Sequence, residues 1–133
     1  MHNYDSLHRA YKKIIKNLFS HHFPNLDYLN SLKKLKFLTI KDIYVYFILE
    51  LYFKMKNFNY FPLMSESFVE NQPSYNTRNP DTLNVPFPRT NTIKINFLYQ
   101  IPIHWNNLDG TIRNAASLNS FKNKLKKQLI SLN

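Results

Sequence analysis

Residues 40–58, which read IKDIYVYFILELYFKMKNF, decide the fold that this sequence predicts. Apolar side chains recur there at intervals of three and four residues, a spacing that predicts one long α-helix. Thr39 precedes it and Asp42 follows three residues later, an arrangement that caps the first free amides of a helix. Because this helix is apolar nearly all round, we expect it inside a core or against a partner. The central stripe is Ile40, Ile43, Tyr44, Phe47, Ile48, Leu51 and Met55, with Val45, Leu49, Tyr52 and Phe53 beside it.

Amphipathic helices are also predicted near both ends of the chain, where apolar residues again recur at three and four. The first spans residues 4–20, with a core-facing side and a basic side. The last begins at residues 117–120 and carries lysines on its polar side. Their apolar faces are Leu7, Tyr11, Ile14 and Leu18, with Ala10, Ile15 and Phe19, and then Leu118, Phe121, Leu125, Leu129 and Leu132.

Between these helices, residues 92–97 alternate polar with apolar side chains, which is the period of a β-strand. Residues 82–85 are the matching strand of a two-stranded ribbon. Short helices are expected near residues 25–34, 63–69 and 99–108, with Pro102 in the first turn of the last. The predicted fold class is mainly α with a small β-hairpin (α+β), comprising a helical N-terminal half, the ribbon and a C-terminal amphipathic helix. Residues 1–60 form a helical segment and 61–133 a tail module, in one compact unit.

Composition limits the chemistry open to the chain. A single glycine, Gly110, disfavours a glycine-rich phosphate loop, and the lack of cysteine excludes disulfides, thiolate nucleophiles and cysteine-ligated zinc. The first residues lack the apolar core of a signal peptide. Residues 43–53, the most apolar stretch, contain Glu50 and are too short to span a bilayer. We therefore expect an intracellular protein, nuclear or cytoplasmic, with no membrane partner and no cofactor.

Charge points toward polyanions. Eighteen Lys and Arg against eight Asp and Glu give a formal net charge of +10. Phosphates attract such a surplus, and the resulting binding weakens steeply with salt. A solvated surface combined with a bias toward Lys and Asn explains the same number, so charge alone leaves both interpretations open.

Four short motifs occur in one order: YNTR at residues 75–78, PRT at 88–90, WN at 105–106 and SFK at 120–122. Together they resemble the C-terminal tail of reverse transcriptases encoded by non-LTR (LINE-type, jockey-like) retrotransposons. Residues 7–22 look like the end of the polymerase thumb, and residues 35–44 like the leader into the next helix. The resemblance therefore covers nearly the whole chain.

This resemblance implies a fragment of an RNA-directed DNA polymerase that is not an enzyme by itself. Reverse transcription needs neighbouring carboxylates that hold paired divalent metal ions. No Asp-Asp pair occurs here, and the eight acids are scattered. No catalytic residue and no metal site is expected, since adjacent His21 and His22 point about 100° apart on a helix. These histidines are expected instead at the end of the first helix, where a protonated imidazole interacts favourably with the carbonyl end of the helix dipole.

The predicted function is nonspecific RNA or DNA binding that supports template handling, with the upstream polymerase domain as a second partner. Lysines on the polar sides of the two terminal helices are expected to contact phosphates as point charges. The resemblance adds Arg78 and Arg89, which alternatively hold turns or pair with acids. The predicted nucleic-acid-binding set is Lys12, Lys13, Lys16, Arg78, Arg89, Lys122, Lys124, Lys126 and Lys127.

Several alternatives stay open. Trp105 is either a base-stacking platform or a core anchor for the C-terminal helix. The chain as a whole is either a nucleic-acid-binding segment or a structural module that docks through residues 40–58 on the polymerase or on another copy. A decayed retroelement remnant with no present role is compatible with the same sequence. The residues do not decide between RNA and DNA.

Overall fold

The computed structural model describes residues 2–19, 27–71 and 81–132. Helices dominate this part of the chain, so the prediction of a mainly α fold is confirmed. The chain divides into two compact units: unit 1 comprises residues 1–44 and 126–133, and unit 2 comprises residues 45–125. Neither boundary coincides with the predicted division at residue 60. The helices are α1 (His2–Phe19), α2 (Tyr28–Leu35), α3 (Ile40–Phe58), α4 (Pro62–Ser65), α5 (Asn91–Ile95), α6 (Phe97–Asn106), α7 (Gly110–Arg113) and α8 (Leu118–Leu132).

Helix α3 begins and ends where the sequence predicted. The Asp42 amide donates to Thr39 Oγ1 at 3.2 Å, and the Thr39 hydroxyl donates to the Asp42 carboxylate, so the predicted cap is confirmed. The buried face differs from the prediction, because Tyr44 and Phe47 of the central stripe are exposed. Its buried residues are Val45, Ile48, Leu49, Glu50, Tyr52, Phe53 and Met55.

Replacing Thr39 with alanine is expected to lower the free energy of unfolding by about 1 kcal/mol, because an α3 amide loses its side-chain acceptor. Chemical denaturation followed by circular dichroism measures this change in the free energy of unfolding. Thr39→Ser keeps the hydroxyl and is expected to stay close to the wild type. Equal losses in the two variants would contradict a capping role for the hydroxyl.

Unit 1 is built on helices α1 and α2. Asp27 caps α2, its carboxylate accepting from the Tyr28 amide at 2.7 Å. Ile15 of α1 and Leu32 of α2 are buried, and the Tyr11 hydroxyl donates to the Leu38 carbonyl at 2.9 Å. The predicted core-facing side of α1 is wrong in part, since Leu7, Ile14 and Leu18 are exposed. Only one edge of its apolar arc, next to Ile15, is covered.

Unit 2 has an aromatic core contributed by α3, α6 and α8. Phe53 stacks on Phe121 with ring centroids 4.3 Å apart and planes 20° apart. Tyr52 meets Trp105 edge-on at 4.7 Å. The predicted apolar face of α8 is confirmed for Phe121 and Leu125 of unit 2 and for Leu129 of unit 1, which are all buried, whereas Leu132 of unit 1 is exposed.

The predicted two-stranded ribbon is wrong. Residues 91–95 are helical as α5, and Asn96 caps α6, its side chain accepting from the Leu98 amide at 3.0 Å. Three alternations are too few to outweigh this cap, since strand propensity depends strongly on context. The other expected strand gives one antiparallel bridge, between Leu83 and Glu70.

Helix α6 starts two residues earlier than predicted, at Phe97. Pro102 is consequently its sixth residue and lies beyond the first turn, contrary to the prediction. A proline there removes a backbone hydrogen bond to the preceding turn. Pro102 is nevertheless buried, so its ring packs in the core of unit 2.

Candidate nucleic-acid interface

Positive charge is concentrated in unit 1. This unit contains ten Lys and Arg residues and three Asp, for a formal charge of +7. Unit 2 contains eight Lys and Arg and five Asp and Glu, for +3. Because unit 1 holds most of the net charge in the smaller number of residues, it has the stronger attraction for phosphates.

Helix α1 carries a face of four cationic residues, called the basic face below: Arg9, Lys12, Lys13 and Lys16. Their spacing of three, one and three residues places all four on the same side of the helix. All four are exposed. The three α1 lysines of the predicted binding set thus share one exposed surface with Arg9, whose Nε donates to the Asp5 carbonyl at 3.3 Å.

Aromatic side chains lie beside one edge of the basic face. Lys12 Nζ is 5.6 Å from the centroid of the Tyr28 ring, close enough for a cation–π contact. The Tyr28 ring meets His8 edge-on at 6.0 Å, and His8 stacks on Tyr4 at 6.2 Å. Burial raises the pKa of Tyr28, and the neighbouring Tyr11 and Tyr4 raise it further. Since Tyr28 is therefore neutral at physiological pH, it adds no anion to compete with phosphate.

Further lysines that the sequence prediction missed lie at the end of α2. Lys33, Lys34 and Lys36 are exposed in unit 1. Lys36 has a left-handed conformation (φ 56°), and its amide donates to the Lys33 carbonyl at 3.0 Å, so the backbone ends the helix there. The KKLK run at residues 33–36 was the sequence signal that could have identified this cluster of positive charge. Lysines in the last turn of a helix also interact favourably with the helix dipole.

The predicted lysines of α8 fall into two groups. Lys126 and Lys127 belong to unit 1 and are exposed. Lys122 and Lys124 belong to unit 2 and have protein partners: Lys122 Nζ is 3.7 Å from Glu50 Oε1, and Lys124 Nζ donates to the Thr111 carbonyl at 3.2 Å. The second pair must give up these partners in order to bind phosphate fully.

The two predicted arginines have different outcomes. Arg89 is exposed in unit 2. Arg78 lies outside the described residues, as do His21 and His22, so their roles stay predictions. Arg113 of α7, which the sequence prediction did not include, is buried and donates to the Asn106 carbonyl at 3.2 Å.

Trp105 and Asn106 are structural residues. Trp105 is fully buried, which excludes a base-stacking role, and its Nε1 donates to the Asp81 carbonyl at 3.0 Å. The Asn106 side chain accepts from the Leu83 amide at 2.7 Å and donates to the Leu83 carbonyl at 2.8 Å. We call these contacts of Trp105 and Asn106 the α6 clamp, because together they attach residues 81–83 to helix α6.

The acids of the chain mostly have structural partners. Asp27 caps α2 and Asp109 caps α7, whereas Asp42 accepts a hydrogen bond from the hydroxyl of Thr39, which caps α3. The hydrogen bond from the Thr111 amide lowers the pKa of Asp109. Buried Glu50 is 2.7 Å from Lys54 Nζ, and Glu70 is 2.9 Å from Lys56 Nζ. These carboxylates are thus committed to caps and ion pairs.

Residues 2–19, 27–71 and 81–132 contain neither a cluster of metal ligands nor a helix that could cross a membrane. Within these ranges, no three His, Asp or Glu side chains lie close enough together to hold a metal ion. In the same part of the chain, every helix falls short of the length or the hydropathy that crossing a bilayer requires.

The basic face of α1, with the lysines of α2 in the same unit, is the best candidate for a binding surface in the described structure. Comparisons with protein families, with curated proteins and with solved structures found no match to this chain.

Proposed function

We propose that this chain is a non-catalytic segment that binds RNA or DNA without sequence specificity, from the C-terminal end of a retrotransposon reverse transcriptase. The observation that carries the proposal is the +7 charge of unit 1, together with the exposed basic face of α1. The four sequence motifs supply the family. The upstream polymerase domain is the proposed second partner, in an intracellular setting.

Binding on this surface is electrostatic. Lysine ammonium groups on flexible stems neutralise phosphates as point charges, and the release of condensed counterions from the nucleic acid supplies the free energy. Contacts to phosphate carry no information about base sequence. The segment is therefore expected to hold template of any sequence.

The proposal assigns no catalysis to the chain alone. In support, six of the eight acids have structural partners, since Asp81 also accepts a hydrogen bond from Asn114 at 2.9 Å. Recruiting any of them to a metal ion would cost a helix cap, a side-chain hydrogen bond or an ion pair.

Replacing Lys12, Lys13 and Lys16 together with glutamine tests the nucleic-acid proposal. The slope of log affinity against log salt for an oligonucleotide is expected to fall by about 2–3, roughly 1 for each phosphate that the variant no longer neutralises. Affinity at low salt is expected to drop at least about tenfold. Fluorescence anisotropy over a salt series measures both quantities.

A matched variant removes the same charge from unit 2, at Lys94, Lys122 and Lys124. It is expected to weaken binding less, because Lys122 and Lys124 already have protein partners. Equal weakening in the two variants would point to total charge and not to the basic face. Unchanged binding in the α1 variant would reject the proposal.

A second candidate function is docking onto a protein partner. One observation favours it: Phe58, Tyr60, Phe61 and Leu63 are all exposed within six consecutive residues of unit 2. Phe61 also has a left-handed backbone (φ 50°), which is strained for a bulky residue before proline. A Phe61→Ser variant that keeps oligonucleotide binding but no longer binds the upstream polymerase domain would support this candidate.

A further inference from the structure

Helix α1 has an exposed apolar strip on the side opposite its basic face. The strip consists of Tyr4, Leu7, Tyr11, Ile14 and Leu18, which are spaced alternately by three and four residues. Tyr4 is 45% exposed, Leu7 56%, Ile14 55% and Leu18 61%, whereas Tyr11 is half-buried. Alternation of three and four is the spacing of residues that pair along the seam of two supercoiled helices.

Helix α2 covers one edge of the α1 apolar arc and leaves the strip open. Ile15 is buried, and the His8 ring lies edge-on to Tyr28 at 6.0 Å. Both residues lie on the α2 side of the strip, next to Tyr4 and Tyr11 around the helix. Most of the area of Leu7, Ile14 and Leu18 therefore faces water, which is unfavourable for large aliphatic side chains in a row.

Charge around the strip favours a second copy of this chain as its occupant. The positions that flank a seam of this register are His8, Ala10, Ile15 and Asn17, none of which is Lys, Arg, Asp or Glu. Like charges at these positions would oppose self-pairing, and their absence removes that barrier. The basic face lies on the opposite side of the helix, so two paired α1 helices would direct their lysines away from each other.

We propose that the apolar strip of α1 pairs with the same strip of a second copy, leaving the two basic faces outward. The seam is short, since 18 residues of helix extend about 27 Å. A weak dimer is therefore expected, smaller than a standard interface. The +7 charge of each unit 1 opposes it at low salt, so association strengthens as salt is added or as a polyanion neutralises the charge. Only the polyanion effect rests on the proposed function.

Sedimentation velocity of the whole chain at several concentrations and salt levels tests the pairing. Self-association is expected to strengthen as salt rises, opposite in sign to nucleic-acid binding. Replacing both Leu7 and Ile14 with glutamine is expected to weaken it at least about tenfold, because the centre of the seam is removed. The control, Lys13→Gln with Lys16→Gln, makes two glutamine changes on the opposite face and is expected to associate as well as the wild type or better.

Circular dichroism checks that both variants keep their helix content. If the helix content of the strip variant falls, the single substitution Leu7→Ser is tested in its place. A wild type that is monomeric at every salt level, or a dimer that the strip changes leave intact, would overturn the pairing. Oligonucleotide anisotropy separates the two proposals. The strip variant is expected to keep its affinity for an oligonucleotide that is short enough to bind one copy. The α1 lysine variant is expected to lose that affinity, and a failure of this second expectation would contradict the proposed function without contradicting the pairing.

Discussion

Replacing Trp105 with alanine is expected to lower the free energy of unfolding by about 3–5 kcal/mol, the largest effect that we expect of any single substitution. Trp105 is fully buried and contacts Tyr52 edge-on at 4.7 Å and Phe121 at 6.1 Å. The change removes the largest side chain of the unit 2 core and leaves a cavity among aromatic rings. It also leaves the Asp81 carbonyl without the indole donor.

Circular dichroism in a denaturant series is the suitable measurement, because Trp105 is the only tryptophan and its fluorescence disappears with the side chain. Trp105→Phe is the matched control, since it keeps a ring in the core but removes the donor to Asp81. A smaller loss, about 1–3 kcal/mol, is expected there. If alanine cost less than about 1 kcal/mol, the core position of Trp105 would be wrong.

Replacing Asn106 with alanine is expected to cost about 2–4 kcal/mol, because both the amide and the carbonyl of Leu83 lose their partner. Leu83 is 1% exposed, so water does not easily replace the missing hydrogen bonds. The change is also expected to speed hydrogen exchange at the Leu83 amide more than at amides of α8. Denaturation and hydrogen exchange monitored by NMR measure the two effects.

Two further variants separate the clamp from general effects of substitution. Asn106→Asp keeps an acceptor for the Leu83 amide but has no donor for its carbonyl, so an intermediate loss of stability is expected. Asn123→Ala changes an exposed asparagine of α8 and is expected to stay within about 0.5 kcal/mol of the wild type. Similar stability in Asn106→Ala and Asn123→Ala would show that the clamp contributes nothing.

Local signals made the long helices predictable. The start of α3 follows from Thr39 and Asp42, whose capping contacts involve only residues three apart. The buried face of α8 follows from residues spaced by four, because Phe121, Leu125 and Leu129 stack along one side. The covered edge of α1 did not follow, since it depends on where α2 lies and not on the period of α1.

The ribbon was mispredicted because its strand segments have other partners. Leu83 bonds to the side chain of Asn106, more than twenty residues away, and Asn96 caps a helix instead of extending a strand. A period-two pattern over six residues contains no information about either interaction. Both residues of the WN motif belong to the α6 clamp, a role that the sequence did not indicate for Asn106.

Total charge was readable from the sequence, but its distribution was not. The +7 of unit 1 depends on which residues fold together, and so does the engagement of Lys122 with Glu50, far apart in the chain. Periodicity alone predicted that all four α8 lysines are equally free to bind phosphate. Interactions over long sequence distances distinguish the two groups.

The α6 clamp also affects how freely this part of the sequence can change. Asn106 binds both backbone groups of one residue, Leu83, and makes no demand on the side chains at positions 82 and 84. When two paired strands shift by two residues, each side chain still points to the same face of the sheet. The attachment of Leu83 to the single side chain of Asn106 allows no such shift. Side-chain changes at positions 82 and 84 can therefore accumulate during evolution while the chain keeps the same point of attachment.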